Sequence, residues 1–331
     1  MHCLSFISDG FLDFPLGEFD WTRPGKGRRP DRLSLTSGSS SFAYSSHCIA
    51  ASTDAIPDPI HFALNTGCVG VKADLWLHHH EILVGHSLHT LESGNTLRSR
   101  YLDPLMQSLQ RWNDTRRDEA GTEESPPFPG IWDHPRRAFV LILNFRTTPA
   151  SLWPPVVSQL STLMRMGYLT HVSGSEMIHG PVTVVATGRV PLELVTADSG
   201  DRYIFVDASL DELAWEDARP SHPAAAIPES ESEVGPPASV DPHGHLHHHY
   251  CASAHFPESI GHPRHGQFSR EQIQSIRRHV RSAHERGLQA RYSGVPNHRR
   301  RIRNRVWRAL VREGVDMIDL DGSSRRPPGW W

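Results

Sequence analysis

The stretch GCVGVKADLWLHHHEILVGH, residues 67–86, indicates both a fold and the place of a functional site. Its first half alternates, so one face of a strand is apolar and the other carries Lys72 and Asp74. A polar turn of histidines and a short apolar run then predict a hairpin whose returning edge ends at His86. Charged side chains near the end of a buried strand are typical of the mouth of a (β/α)8 barrel, where active sites are built.

The composition is that of a globular protein with a sizeable core. The chain has 331 residues, of which 37% are hydrophobic, and barrels of this size commonly form one domain. Lys plus Arg at 34 nearly balance Asp plus Glu at 37, so the net charge predicts no nucleic-acid partner. No secretory signal or apolar run long enough for a spanning helix is evident, and the compartment is left open.

The cysteines point to no particular site. Cys3, Cys48, Cys68 and Cys251 are widely spaced and contain no CxxC pair. This spacing argues against a zinc ribbon and against a disulfide scaffold.

The chain divides into a tail and one folded unit. Residues 1–46 are rich in Gly, Pro, Ser and Arg without periodicity, which predicts a disordered tail. Residues 47–326 are expected to form a single barrel. Two stretches of linker composition, 113–130 and 220–249, are expected to be long insertions in surface loops.

Apolar runs between these loops suit the buried strands of a parallel sheet. A capping box at Ser269 and Gln272 predicts a helix that ends at Gly287, and 304–313 predicts a second helix. Strands follow both helices, and this alternation implies an α/β fold with a parallel sheet. The predicted strands are 68–75, 138–145, 182–186, 203–206, 288–292 and 315–320.

Residues in and after this first stretch, 67–86, also resemble those of a known family. Residues 67–77, Val84-Gly85-His86 and 96–105 resemble the fungal altered inheritance of mitochondria protein 6 family, within the phospholipase C-like and glycerophosphodiester phosphodiesterase superfamily. The resemblance continues through 181–188, 204–208 and 268–321. It implies a TIM barrel of the phospholipase C-like phosphodiesterase type.

The resemblance also implies an activity and its site. Members hydrolyse phosphodiesters with two histidines and a divalent cation, usually Mg²⁺, which neutralises phosphate charge while the histidines move protons. Carried over to this chain, Asp74 is a metal ligand and His86 a catalytic histidine. The implied substrate is a phospholipid-like or glycerophosphodiester molecule, which would make the chain a hydrolase of lipid metabolism.

Several positions depart from the family's pattern. Lys72 stands where relatives have the Glu of Glu-x-Asp, and Asn144-Phe145-Arg146 stands for Asp-Val-Lys. Residues 51–54 read Ala-Ser-Thr-Asp where the family has His-Asn-Asp-Tyr, so the first catalytic histidine is absent there. Near the other end, Ser293-Gly294 replaces Trp-Asp. Lys72, Asn144 and Arg146 are therefore expected to be substituted or phosphate-facing positions.

These departures leave alternatives open. A catalytically inactive barrel that binds anionic phosphate compounds or a protein partner is the alternative to the hydrolase. Lys72 and Asp74 could form a salt bridge in the mouth, or Lys72 could face the phosphate in place of magnesium. His78–His80 and His243–His249 could bind transition metals, and 298–305 an anionic partner, although solvated surface suits all three better.

Overall fold

The computed structural model describes residues 47–51, 56–120, 138–196, 200–218, 248–264, 267–296 and 300–320. The predicted tail, 1–46, and residues 121–137 and 219–247 lie outside these residues. A 3₁₀ turn at Leu88–Thr90 and a π-helical turn at Arg98–Leu102 precede the helix Asp103–Ala120. The elements are β1 Cys48–Ala51, α1 Pro59–Thr66, β2 Gly70–His78, β3 Glu81–Val84, α2 Asp103–Ala120, β4 Phe139–Phe145, α3 Pro149–Arg165, β5 His171–Ser173, β6 Glu176–Ile178, β7 Val182–Thr187, α4 Leu192–Thr196, β8 Ile204–Ser209, α5 Leu210–Ala218, β9 His249–His255, α6 Phe256–Ser259, α7 Arg270–His284, β10 Gln289–Ser293, α8 Arg300–Arg312 and β11 Met317–Leu320.

Eight of these strands close into a parallel barrel. Their order around the ring is β1, β2, β4, β7, β8, β9, β10 and β11, and β11 pairs again with β1. Helices follow the strands, because each connection between parallel strands must return to the end of the barrel where the strands begin. The predicted (β/α)8 barrel is confirmed. Strand β3 pairs antiparallel with the end of β2, and the hairpin that joins them turns through His79 and His80.

The core has two layers. Side chains between the strands and the outer helices form the larger cluster, and a smaller set fills the barrel interior. The interior set is Ile49, Val140, Ile142, Val185, Cys251 and Met317, all at most 2% exposed. Because these residues define the inner face, every second residue along each strand toward its carboxyl end also points inward.

The sequence prediction missed the short hairpin of β5 and β6 and two of the eight barrel strands, and each missed barrel strand has a local reason. Strand β1 has only four residues after a Ser-rich stretch, and β9 is broken by Ala and Ser, so neither shows a clear apolar run. Strand β9 begins at His249, inside the stretch predicted to be an insertion. Both strands are held by pairing on two sides, which a single-sequence pattern does not reveal.

Two helix boundaries differ from the prediction, and a third agrees with it. Helix α2 continues to Ala120 because the polar residues 113–120 are compatible with helix, so the first part of the predicted 113–130 linker is helical. Helix α8 begins at Arg300 rather than 304, which places most of the basic run within it. Helix α7 begins where predicted: Ser269 accepts from the Gln272 amide, and Gln272 accepts from that of Ser269.

The cysteine interpretation needs one correction. Cys48 of β1 and Cys68, just before β2, form a disulfide across 20 positions of sequence. The pairing depends on β1 lying beside β2, which the spacing of the cysteines does not show. Cys251 is a free, fully buried thiol whose pKa is raised by burial.

Candidate active site at the mouth of the barrel

The candidate site lies at the carboxyl ends of the parallel strands, here called the mouth. Strand β2 brings Lys72 and Asp74 to the inner face, as the alternation predicted, and Asp74 stands beside Asn144 of β4 in the register. The structure thus brings together three of the five residues proposed from the sequence. They lie just above the apolar layer that fills the barrel.

Asp74 is held by Asn144. The carboxylate is 7% exposed, and the Asn144 amide nitrogen donates to its Oδ1 at 2.5 Å. An amide donor satisfies a buried carboxylate without a metal ion. Asn144, at the position of the family's Asp, therefore acts in this structure as a hydrogen-bond donor.

Lys72 has a partner that the sequence did not suggest. Its Nζ lies 3.4 Å from Oδ2 of Asp319 on β11, and the Lys72 side chain is 20% exposed. The salt bridge in the mouth therefore exists, but its carboxylate is Asp319 and not Asp74. Strand β11 is separated from β2 by β1 alone, which explains how residues 247 positions apart meet.

Lys72 belongs to a buried ionic layer that crosses the barrel. The Arg291 guanidinium makes a bidentate contact with Asp319, with both bonds at 2.8 Å, and reaches Asp207 at 3.1 Å. Asp207 also accepts from Ser253 Oγ and Cys251 Sγ. The side chains of Arg291, Asp207 and Asp319 are at most 3% exposed.

The charges in this layer stabilise one another. Burial by itself would raise the pKa of Asp319, but Arg291 and Lys72 hold it below its ordinary value. Burial by itself would lower the pKa of Arg291, but Asp319 and Asp207 raise it above its ordinary value. Asp319 and Arg291 therefore both stay ionised at neutral pH because of their partners.

The sequence analysis assigned neither Arg291 nor Asp207 to the site. Both are charged residues inside otherwise apolar strand runs, and that contrast could have drawn attention to them. Their pairing, across 84 positions of sequence, needs the closed barrel.

Trp76 connects the two remaining candidates. Its indole nitrogen donates to the carbonyl of Gly85 at 2.9 Å, which fixes the segment that leads to His86. The Arg146 guanidinium, just beyond β4, lies 5.5 Å from the centre of the Trp76 ring, within the range of a cation–π contact. His86 and Arg146 are both exposed, so an imidazole and a guanidinium are accessible on this side of the mouth.

The described residues do not fit the magnesium ion that the resemblance implies. A Mg²⁺ site needs several oxygen ligands in near-octahedral array, usually including one or two carboxylates. Asp74 is already bonded to Asn144, and Asp319 is bonded to two cations. No group of three or more His, Cys, Asp or Glu side chains is placed to hold a metal among the described residues, which exclude Asp54 and Asp321.

Other sequence candidates take no part in the ionic layer or lie outside the described residues. His78–His80 form the tip of the β2–β3 hairpin, beyond the carboxyl end of β2. Residues 52–55 and 243–247 are outside the described part of the chain. A cavity of about 370 Å³ lies at the opposite, amino end of the strands, beside Thr183, Tyr250 and Gln289. It is lined by His249 but by none of the residues proposed for the mouth.

Comparison with known proteins agrees with this architecture. Residues 51–207 match the family described as AIM6-like phosphodiesterase domain. No solved structure matches the chain. None of the described helices is both long and apolar enough to cross a bilayer.

Curated relatives come from several fungi. A homolog of altered inheritance of mitochondria protein 6 from Arthroderma benhamiae is 28% identical over 78% of this chain and 74% of its own length. The proteins of that name from Eremothecium gossypii and Saccharomyces cerevisiae are 26% and 25% identical over 80% of this chain, which spans 64% and 65% of theirs. Residues 51–207 thus carry an AIM6-like phosphodiesterase domain, and the chain is similar to the altered inheritance of mitochondria protein 6 of several fungi.

Proposed function

We propose that this chain is a phosphoric diester hydrolase that acts on a phospholipid-like or glycerophosphodiester substrate bound at the mouth of the barrel. The observation that carries the proposal is the connection made by Trp76, which ties the segment before His86 and the Arg146 side chain to one side of the mouth. The match to a phosphodiesterase-like domain supports the reaction class.

The residues present suit a diester phosphate. Arg146 offers the planar donor array that binds phosphate oxygens in pairs, and it is already positioned by the Trp76 ring. Lys72 adds a second cation that is only partly engaged, since its one ion pair is 3.4 Å long. His86 would protonate the leaving oxygen. Magnesium dependence stays a prediction of the resemblance, and no role above relies on it.

A second candidate function is a barrel that binds phosphate compounds or a protein partner without turnover. The Lys72–Asp319 pair favours it, because an ammonium and a bonded carboxylate occupy the region where the family places metal ligands. The hydrogen bond from Asn144 to Asp74 favours it for the same reason.

Hydrolysis of glycerophosphocholine and of lysophosphatidylcholine separates the two functions. We expect turnover by the purified chain that falls at least about 100-fold in His86→Ala, because general acid catalysis contributes about 10²–10⁴-fold. His262→Ala, an exposed histidine beyond α6, is the matched control. Assays with added Mg²⁺ and with chelator test the metal prediction separately.

Binding without turnover would support the second candidate instead. Its sign would be calorimetric binding of glycerophosphocholine that is lost in Arg146→Ala and kept in Arg165→Ala, an exposed arginine in the last turn of α3. If the chain shows neither binding nor turnover, both functions are ruled out for these ligands.

A further inference from the structure

A second histidine reaches the mouth from β9. Cys251 packs into the barrel interior, and Ser253 donates to Asp207 in the ionic layer. His255 follows at the same two-residue spacing, so it points to the inner side at the last position of β9, beside Ser293 of β10. Its side chain is 47% exposed, which leaves it accessible to a ligand in the mouth.

A carboxylate orients this histidine. His255 Nδ1 lies 3.2 Å from Oε1 of Glu258, one turn further along in α6. A carboxylate at Nδ1 favours the tautomer with the proton on that nitrogen, which leaves the lone pair on Nε2. This arrangement gives an imidazole that can accept a proton at Nε2.

Glycine at position 294 makes room for the ring. Gly294 has φ +67°, and a Cβ at that position would overlap Nε2 and Cδ2 of His255. The Ser293-Gly294 pair stands where the resemblance places Trp-Asp. Because position 294 carries no side chain, the His255 ring has room at the mouth.

The position of β9 suits a displacement at phosphorus. In the ring of eight strands, β9 stands four places from β2, so His255 approaches from the wall opposite the β2–β3 hairpin that carries His86. In phosphoryl transfer the attacking and leaving oxygens lie roughly in line on opposite sides of phosphorus. A base and an acid on opposite walls match that requirement.

We propose that His255, oriented by Glu258, is the general base of the diester hydrolysis and supplies the proton acceptor that residues 51–54 lack. The inference rests on the proposed hydrolase function. His255 Nε2 takes a proton from water as the water oxygen bonds to phosphorus. The bond from phosphorus to the leaving oxygen breaks, and His86 protonates that oxygen.

Two substrates distinguish a base from an acid. The 4-nitrophenolate that leaves bis(4-nitrophenyl) phosphate needs no proton, whereas the alkoxide that leaves glycerophosphocholine does. We expect His255→Ala to lower kcat/KM about 100-fold or more for both substrates. His86→Ala should lower it for glycerophosphocholine and leave bis(4-nitrophenyl) phosphate within a few-fold of wild type. Glu258→Gln should lower kcat by a smaller factor and shift the acidic limb of the pH profile.

The control is His284→Ala, another exposed histidine with a carboxylate partner, Asp316 at 2.7 Å, at the amino end of the barrel. An exposed pair such as His255–Glu258 contributes little to stability, so the variants should stay folded, which circular dichroism checks. Turnover by wild type that His255→Ala retains with an unchanged pH profile would overturn the role of His255 alone. Absence of turnover by wild type on both substrates would overturn the hydrolase proposal and this role together.

Discussion

Replacement of Arg291 by methionine should expose the energetics of the ionic layer. The substitution keeps an unbranched side chain but leaves Asp319 and Asp207 with no guanidinium, and both carboxylates are at most 3% exposed. Removal of one partner from a buried ion pair costs about 3–5 kcal/mol. Asp319 would keep the contact with Lys72, but at 3.4 Å this contact is longer than the two 2.8 Å bonds that Asp319 loses. Urea unfolding should show that loss as a lower midpoint with an unchanged slope.

The loss should also depend on pH. In wild type the pKa of Asp319 is lowered, so its contribution is present above the ordinary value of 3.8 and is lost only as pH falls below it. Without Arg291, burial raises the pKa of Asp319, so the variant becomes more stable as this carboxylate takes up a proton. The difference from wild type should therefore shrink between neutral pH and about pH 5.

A matched control is Arg286→Met. Arg286 pairs with Asp217 at 2.8 Å, but the two side chains are 25% and 30% exposed, so the expected cost is about 0.2–1 kcal/mol. Equal losses in the two variants, or a loss for Arg291→Met that does not change with pH, would refute this account of the layer.

Two further predictions concern the disulfide and the metal. Cys48→Ser should lower the free energy of unfolding by about 3.3 kcal/mol from loop-closure entropy over 20 positions, measured in urea, and free thiols at both Cys48 and Cys68 in the intact wild-type chain by mass spectrometry would contradict it. Lys72→Glu places a third carboxylate near Asp74 and Asp319, so Mg²⁺ should raise its melting temperature but not that of wild type or Lys72→Met. A magnesium-induced rise in wild type would show instead that a metal site already exists.

Much of the barrel is predictable from the sequence because its strands are buried on both sides. Runs such as 139–145 are almost continuously apolar, and α7 has a capping box at one end and Gly287 at the other. Strand β9 is not predictable in the same way, since its Ala-Ser-Ala core has weak strand propensity and depends on its neighbours.

The site was predictable only along one strand and its hairpin. Alternation places Lys72 and Asp74 on one face, but the partner of each lies on another strand. Asn144 was already a candidate from the resemblance, but Asp319 emerges as the partner of Lys72 only when the ring closes and brings β11 within one strand of β2. His255 was missed for a related reason, because its importance depends on register and on the space above Gly294.

Phosphorus-31 NMR of glycerophosphocholine, incubated with the purified chain or with His86→Ala, tests most directly whether the mouth hydrolyses a phosphodiester. A new phosphorus resonance from cleavage of the diester should grow with wild type, and it should grow at least about 100-fold more slowly with the variant. A spectrum that stays unchanged with wild type, or grows equally with both proteins, would contradict the assignment of hydrolysis to this mouth.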